Sequence, residues 1–220
     1  MHIPDGILPA AVSAAGYVTT GAATWYSLRR VNQKENPQEG VPKASLLAAA
    51  FFVASWIHIP VPPTSVHLVL NGLLGALLGY YAIPAILIGL FFQAVMFQHG
   101  GLTTLGVNAT LMGLPALLAY FLFRLRNVVG RDRGSAEEPS RLWTGVFGFL
   151  AGAIGLGLAT AMAMTLLVTT VPSYLDVEAE RASIVAMTLA HVPLMLIEGA
   201  FTALVALFLQ KVAPELLEDR

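Results

Sequence analysis

Met1-His2 opens this chain, and the pair offers three nitrogens to one metal ion. Removal of an initiator methionine needs a small second residue, so a histidine there is expected to leave Met1 with a free α-amine. That amine, the His2 backbone nitrogen and the His2 imidazole close two adjacent chelate rings. Three nitrogens in a plane suit Ni²⁺, Cu²⁺ or Co²⁺, and a second imidazole can supply a fourth donor. Pro4, Asp5 and Gly6 follow before an apolar run begins. Such a start lacks both the basic n-region of a secretory leader and the arginines of a mitochondrial one. The competing reading makes MHIPDG a frayed polar tail with His2 incidental.

Other residues could complete or support such a site. His67 follows Pro62-Pro63-Thr64-Ser65, where the prolines stiffen the approach and Ser65 or Thr64 is placed to cap a helix. At a helix start the positive dipole end favours a neutral, ligating imidazole, and Asn71 one turn below is expected to orient it. Asp5 is expected to tie down the tail or hold a ligating ring; an ordinary helix cap is the simpler role. His99-Gly100-Gly101, with Thr103, Thr104 and Asn108, is polar backbone between apolar spans and is expected to form a lid or wall. Glu198 is the sole carboxylate well inside a predicted span. Its expected partner is Asn108, Thr103 or His191, in a proton relay or a structural network. No hydrolase, zinc-protease or phosphate-loop motif occurs, so catalysis is not expected and uphill transport would need another source of energy.

The elements that must position these residues are membrane helices. The 220 residues are 56% hydrophobic and only 11% charged, with a mean hydropathy of +0.72, so a polytopic, all-α membrane protein is expected. The absence of cysteine excludes thiolate ligands, and a net charge of -1 argues against a nucleic-acid partner. Seven spans are predicted within a single integral membrane domain of residues 1–220. They are Ile7–Leu28, Ala44–Ile57, Val66–Tyr81, Ala85–Gln98, Val107–Phe123, Leu142–Val171 and Ala182–Leu209, with breaks at Ile83-Pro84 and His191-Val192-Pro193. With the N-terminus outside, the loops at 29–43 and 124–141 and the tail from Lys211 are cytoplasmic and carry eleven of the twelve Lys and Arg residues. All five histidines, including His58 in the 58–65 turn, then fall in the outer half, which suggests capture of a metal from outside.

The segments MHIPDG, PVPPTSVHLVLNGLLGALLG, FFQAVMFQHGGLTTLGVNATLMG and HVPLMLIEG together resemble the CbiM/NikM family, the substrate-capturing membrane subunits of cobalt/nickel energy-coupling-factor (ECF) transporters. The resemblance covers nearly the whole chain. It implies a prokaryotic plasma-membrane protein that binds Co²⁺ or Ni²⁺ as cargo through Met1, His2 and His67, with no organic cofactor. It also implies partners: a small membrane subunit of the CbiN/NikN type, a transmembrane coupling subunit and a cytoplasmic ATPase pair. The proline-rich PVPPTS stands where many cobalt members have a cysteine- and serine-rich stretch. Cobalt, for cobalamin synthesis, is the expected cargo, although planar four-nitrogen coordination suits nickel equally. The alternatives are a stand-alone secondary carrier with a Glu198/His191 proton path and a membrane metal sensor.

Overall fold

The computed structural model describes residues 2–61, 64–130, 139–170 and 177–218. Met1, Pro62, Pro63, residues 131–138 of the second polar loop, residues 171–176 and residues 219–220 lie outside the described residues, as do the side chains of Val61, Thr64 and Ser65. In order, the elements are α1 (Ala10–Val31), α2 (Val41–Ala54), β1 (His58–Val61), β2 (Thr64–His67), α3 (Asn71–Leu78), α4 (Ala82–Phe97), α5 (Leu105–Arg124), the single turn α6 (Arg126–Val129), α7 (Arg141–Thr170) and α8 (Val177–Val212). The protein is thus mostly helical. Four helical stretches, 71–97, 105–129, 141–170 and 177–212, are long and apolar enough to cross a membrane by length and composition.

The first of these four is not a straight rod. Along α3, the Asn71 amide reaches the Met112 carbonyl, Gly75 lies against Ala116 and Gly79 against Tyr120. Beyond that point Ile83 lies back against Gly113. So α3 runs alongside α5 in the same direction, and α4 returns along it. The reversal sits at Gly79, whose φ of +58° is a left-handed conformation open to glycine at little cost. The break predicted at Ile83-Pro84 therefore falls earlier. Pro84 lies in the first turn of α4, where its missing N–H leaves no helical bond unmade.

Two further expectations are corrected. Val66–Tyr81 is not one helical span. The proline-rich segment forms an antiparallel hairpin in which His58 pairs with His67 and Ile59 with Val66. A lone two-stranded hairpin is marginal in water, and this one packs through β2 onto α8 with Val66 buried. The second correction concerns Pro193, which sits inside α8 without interrupting it. Membrane helices tolerate the lost hydrogen bond because neighbouring groups satisfy the freed carbonyl. Helices α7 and α8 pack antiparallel over small residues, Gly148 against Ala203 and Gly157 against Met195. Leu74, Ile86, Leu90, Met112, Leu156 and Leu194 are buried side chains of one core that joins α3, α4, α5, α7 and α8.

Candidate metal centre

Because α4 doubles back, the residue after its end returns to the level of β2. Gln98, with φ 52°, closes the helix in a left-handed cap and turns the chain into His99. The donor nitrogens of His2, His67 and His99 then lie within 4.8 Å of one another. The His2 ring centroid is 5.1 Å from that of His67 and 4.2 Å from that of His99, and the His67 and His99 centroids are 4.8 Å apart.

The N-terminal segment is strapped to the chain that precedes and begins α5. Ile3 N–H donates to Asn108 Oδ1 at 3.0 Å, and Asn108 Nδ2 donates to the Ile3 carbonyl at 3.0 Å. The Thr104 hydroxyl donates to the same carbonyl at 2.6 Å. Two residues on, the Asp5 carboxylate accepts from the Thr103 N–H at 2.8 Å, the Thr103 hydroxyl and the Leu102 N–H at 3.2 Å. The Thr103 hydroxyl contributes most to holding the Asp5 carboxyl below its ordinary range. A side chain at Gly101 would collide with Asp5, so the close approach of strap and turn requires glycine there. Asp5 is therefore a clasp on the 102–103 turn and not a cap on the turn that follows it. Asn108 serves Ile3, not Glu198.

Hydrogen bonding assigns both ring tautomers in the His2–His67 pair. His2 Nε2 lies 2.8 Å from Gln93 Oε1, while the Gln93 amide nitrogen donates to the carbonyls of Phe51 at 3.2 Å and Phe52 at 3.4 Å. Carbonyls only accept, so the Gln93 NH₂ must face α2 and its oxygen must face His2. The His2 ring hydrogen is therefore on Nε2. His67 Nδ1 lies 2.9 Å from the Leu68 carbonyl, so the His67 hydrogen is on Nδ1. His2 Nδ1 and His67 Nε2, 3.3 Å apart, then face one another as two lone pairs. Burial, with neighbouring positive charge as a smaller cause, pushes His2 well below the ordinary 6.5 and His67 down to about 2, so both rings stay neutral near neutral pH. Burial likewise lowers His99. Two nitrogens at this separation, each about 2.0–2.1 Å from an ion, subtend roughly 105–110°. A cation between them turns a repulsive contact into ligation.

Not every candidate joins the cluster. His67 lies in β2, upstream of α3, whose N-cap is Leu70 without a side-chain cap, so it does not stand at a helix start as expected. Asn71 is fully buried and donates to the carbonyls of Met112 and Gly155; it ties α3 to α5 and α7 and does not orient His67. His191 is buried on α8, its Nδ1 bonding the Met187 carbonyl at 2.8 Å. Glu198 is bonded to none of the partners expected of it. Its carboxylate accepts from the Val69 N–H and, at 3.0 Å, from the Leu70 N–H. Leu70 has φ 57°, a strained conformation for a bulky residue. Glu198 thus holds the turn that carries the chain from His67 into α3. Sequence reasoning missed Gln93 altogether. Its signal was an amide alone in the apolar run of α4, and polar residues in such runs default to function.

The arrangement coincides with a sequence match. The model of a family described as "Cobalt uptake substrate-specific transmembrane region", CbiM, matches residues 2–216. This chain belongs to the CbiM family. Among CbiM-family and related proteins, it is 36% identical over 218 residues to a putative metal transport protein of Haemophilus influenzae, covering 99% of this chain and 97% of that one. A putative cobalt transport protein CbiM of Methanococcus voltae is 32% identical over 225 residues, 99% of this chain and 95% of that one. A putative fused nickel transport protein NikMN of Archaeoglobus fulgidus is 30% identical over all of this chain and 69% of its own length. The fold is shared with two crystal structures of transition metal transporters. One, a truncated form, has a TM-score of 0.77 at 22% identity over 96% of this chain and 99% of that one; the other has 0.78 at 23% over 96% and 93%. As a CbiM-family member with long apolar helices, the chain is a metal-transport component of the prokaryotic plasma membrane and not an enzyme.

Proposed function

We propose that this chain is the cargo-capturing subunit of an ATP-driven, ECF-type importer of Co²⁺ or Ni²⁺, with Co²⁺ for cobalamin synthesis the favoured cargo. The observation that carries the reading is the His2 Nδ1–His67 Nε2 contact, two lone pairs 3.3 Å apart with both ring hydrogens committed elsewhere. By their adjacency in the chain, the Met1 amine and the His2 backbone nitrogen can close chelate rings with His2 Nδ1, and His99 stands beside His2 and His67 as a further imidazole. That nitrogen-only set suits late divalent metals. The chain passes the membrane seven times with the histidine end outside. The reversal at Gly79 and the eleven of twelve basic residues in the other loops and tail support this.

A small membrane subunit, a coupling subunit and an ATPase pair supply the rest of the machine. The name of the fused NikMN relative supports the first of these. The secondary-carrier reading needs a proton path through Glu198, and it is weakened by that carboxylate's engagement with two backbone amides. The test is elemental analysis of protein purified with its native N-terminus after growth in equal cobalt and nickel. Near-stoichiometric cobalt or nickel is expected, lost when one residue is added before Met1. Protein carrying neither metal, or unaffected by the extension, overturns the proposal.

A further inference from the structure

His58 is the one histidine outside the cluster that still borders it. It stands directly opposite His67 in the hairpin, and the two ring centroids are 5.9 Å apart. His67 is buried to 6% exposure, whereas His58 is exposed. The His58 ring hydrogen is committed: Nδ1 lies 3.0 Å from the Trp56 carbonyl, so Nε2 carries the lone pair. Among the described residues nothing bonds that Nε2. Imidazole nitrogens bind about 2.0–2.1 Å from an ion, so two rings sharing one ion can have centroids up to about 6.4 Å apart. His58 and His67 are within that reach without any backbone movement, yet His58 is not one of the three residues whose donors converge.

Resting on the capture function proposed above, we propose that His58 is a loading ligand, which takes the hydrated metal ion at the rim and hands it to His67. A hydrated divalent ion entering the cluster must exchange several waters for nitrogens. An exposed imidazole next to a buried one divides that exchange into steps, because His58 replaces a water before His67 is reached. Once the ion is seated among His2, His67 and the N-terminal nitrogens, His58 lets go and contributes nothing to the final complex. A group that stabilises only the transition state speeds loading and release by the same factor and leaves the equilibrium unchanged.

The test is stopped-flow binding of Ni²⁺ alone to the full chain in detergent, with its native N-terminus, and chelator-driven release from the loaded protein. His58→Ala is expected to slow association and release together, each by about tenfold, with Kd within about twofold. His58→Asn keeps a donor for the Trp56 carbonyl but lacks Nε2; it should behave as the alanine variant does, which separates lost ligation from a disturbed hairpin. Faster release with unchanged association would make His58 a ligand of the seated ion and overturn the proposal. Unchanged rates in both variants, or a defect that His58→Asn repairs, would overturn it equally. Failure of the wild-type chain to bind Ni²⁺, or unimpaired binding by His67→Ala, would sink the capture function itself and is read separately from the His58 rates.

Discussion

Replacing Gln93 by leucine removes the acceptor that the His2 Nε2–H has among the described residues while keeping a buried side chain of similar size. Two consequences have different sizes. The Phe51 and Phe52 carbonyls belong to the last turn of α2 and lose the Gln93 donor, a loss of about 0.5–1.5 kcal/mol of stability for each bond. The stranded N–H at His2 destabilises free and metal-loaded protein alike, so most of its effect cancels from the affinity. What does not cancel is orientation and basicity: without Gln93 the ring turns freely and Nδ1 is a poorer donor. Loss of such a partner lowers metal affinity by about 10–100-fold, or about 1.4–2.7 kcal/mol. The assay is calorimetric titration of the purified variant with Ni²⁺ and Co²⁺, its helicity checked by circular dichroism. A folded Gln93→Leu protein that binds as the wild type does would refute the claim that Gln93 aims His2, and with it the tautomer argument.

Other outcomes follow from the same geometry. His67→Ala should eliminate tight binding, whereas His99→Ala, whose ring stands beside the proposed nitrogen set, should lower affinity by about 10–100-fold, and Asn71→Ala should lower thermal stability and leave Kd nearly unchanged; titration with a melting curve separates them. Glu198→Gln offers the Val69 and Leu70 amides one acceptor oxygen in place of two, at a cost to stability of about 1–3 kcal/mol, and metal affinity should fall with the displaced His67 turn; an unchanged melting temperature would refute this. Protons compete with metal for imidazole lone pairs, so acid can only weaken binding. Burial keeps His2 and His67 neutral well below 6.5, so log Kd against pH should show no break there, and a break at 6.5 would contradict the buried site. In this cysteine-free chain, Gln38→Cys should react with an impermeant thiol reagent only from the cytoplasm and Glu178→Cys only from outside; the reverse labelling would invert the topology.

What the sequence determined by itself is the chemistry available and the solvent around it. Met1-His2 offers three adjacent nitrogens, the apolar runs demand a membrane, and the clustering of Arg and Lys is the basis of the proposed orientation; each is a property of neighbouring residues. His2 and His67 as partners were legible through the family resemblance, and His99 only as part of a polar turn. Tertiary structure decided which distant groups act on those nitrogens. Gln93 meets His2 across 91 positions and Asn108 meets Ile3 across 105, because α4 doubles back at Gly79 and α5 carries the strap's partners. Glu198, which the sequence marks only as an intramembrane carboxylate, finds two backbone amides across 128 and 129 positions, since Leu70 adopts a left-handed turn that no local pattern in an apolar run announces. The hairpin was hidden for a similar reason. Its strands are too short to alternate convincingly, and packing on α8, not β-propensity, stabilises them. A hydrogen bond to a buried ring depends on where the chain reverses, and reversal at a single glycine leaves almost no trace in hydrophobic periodicity.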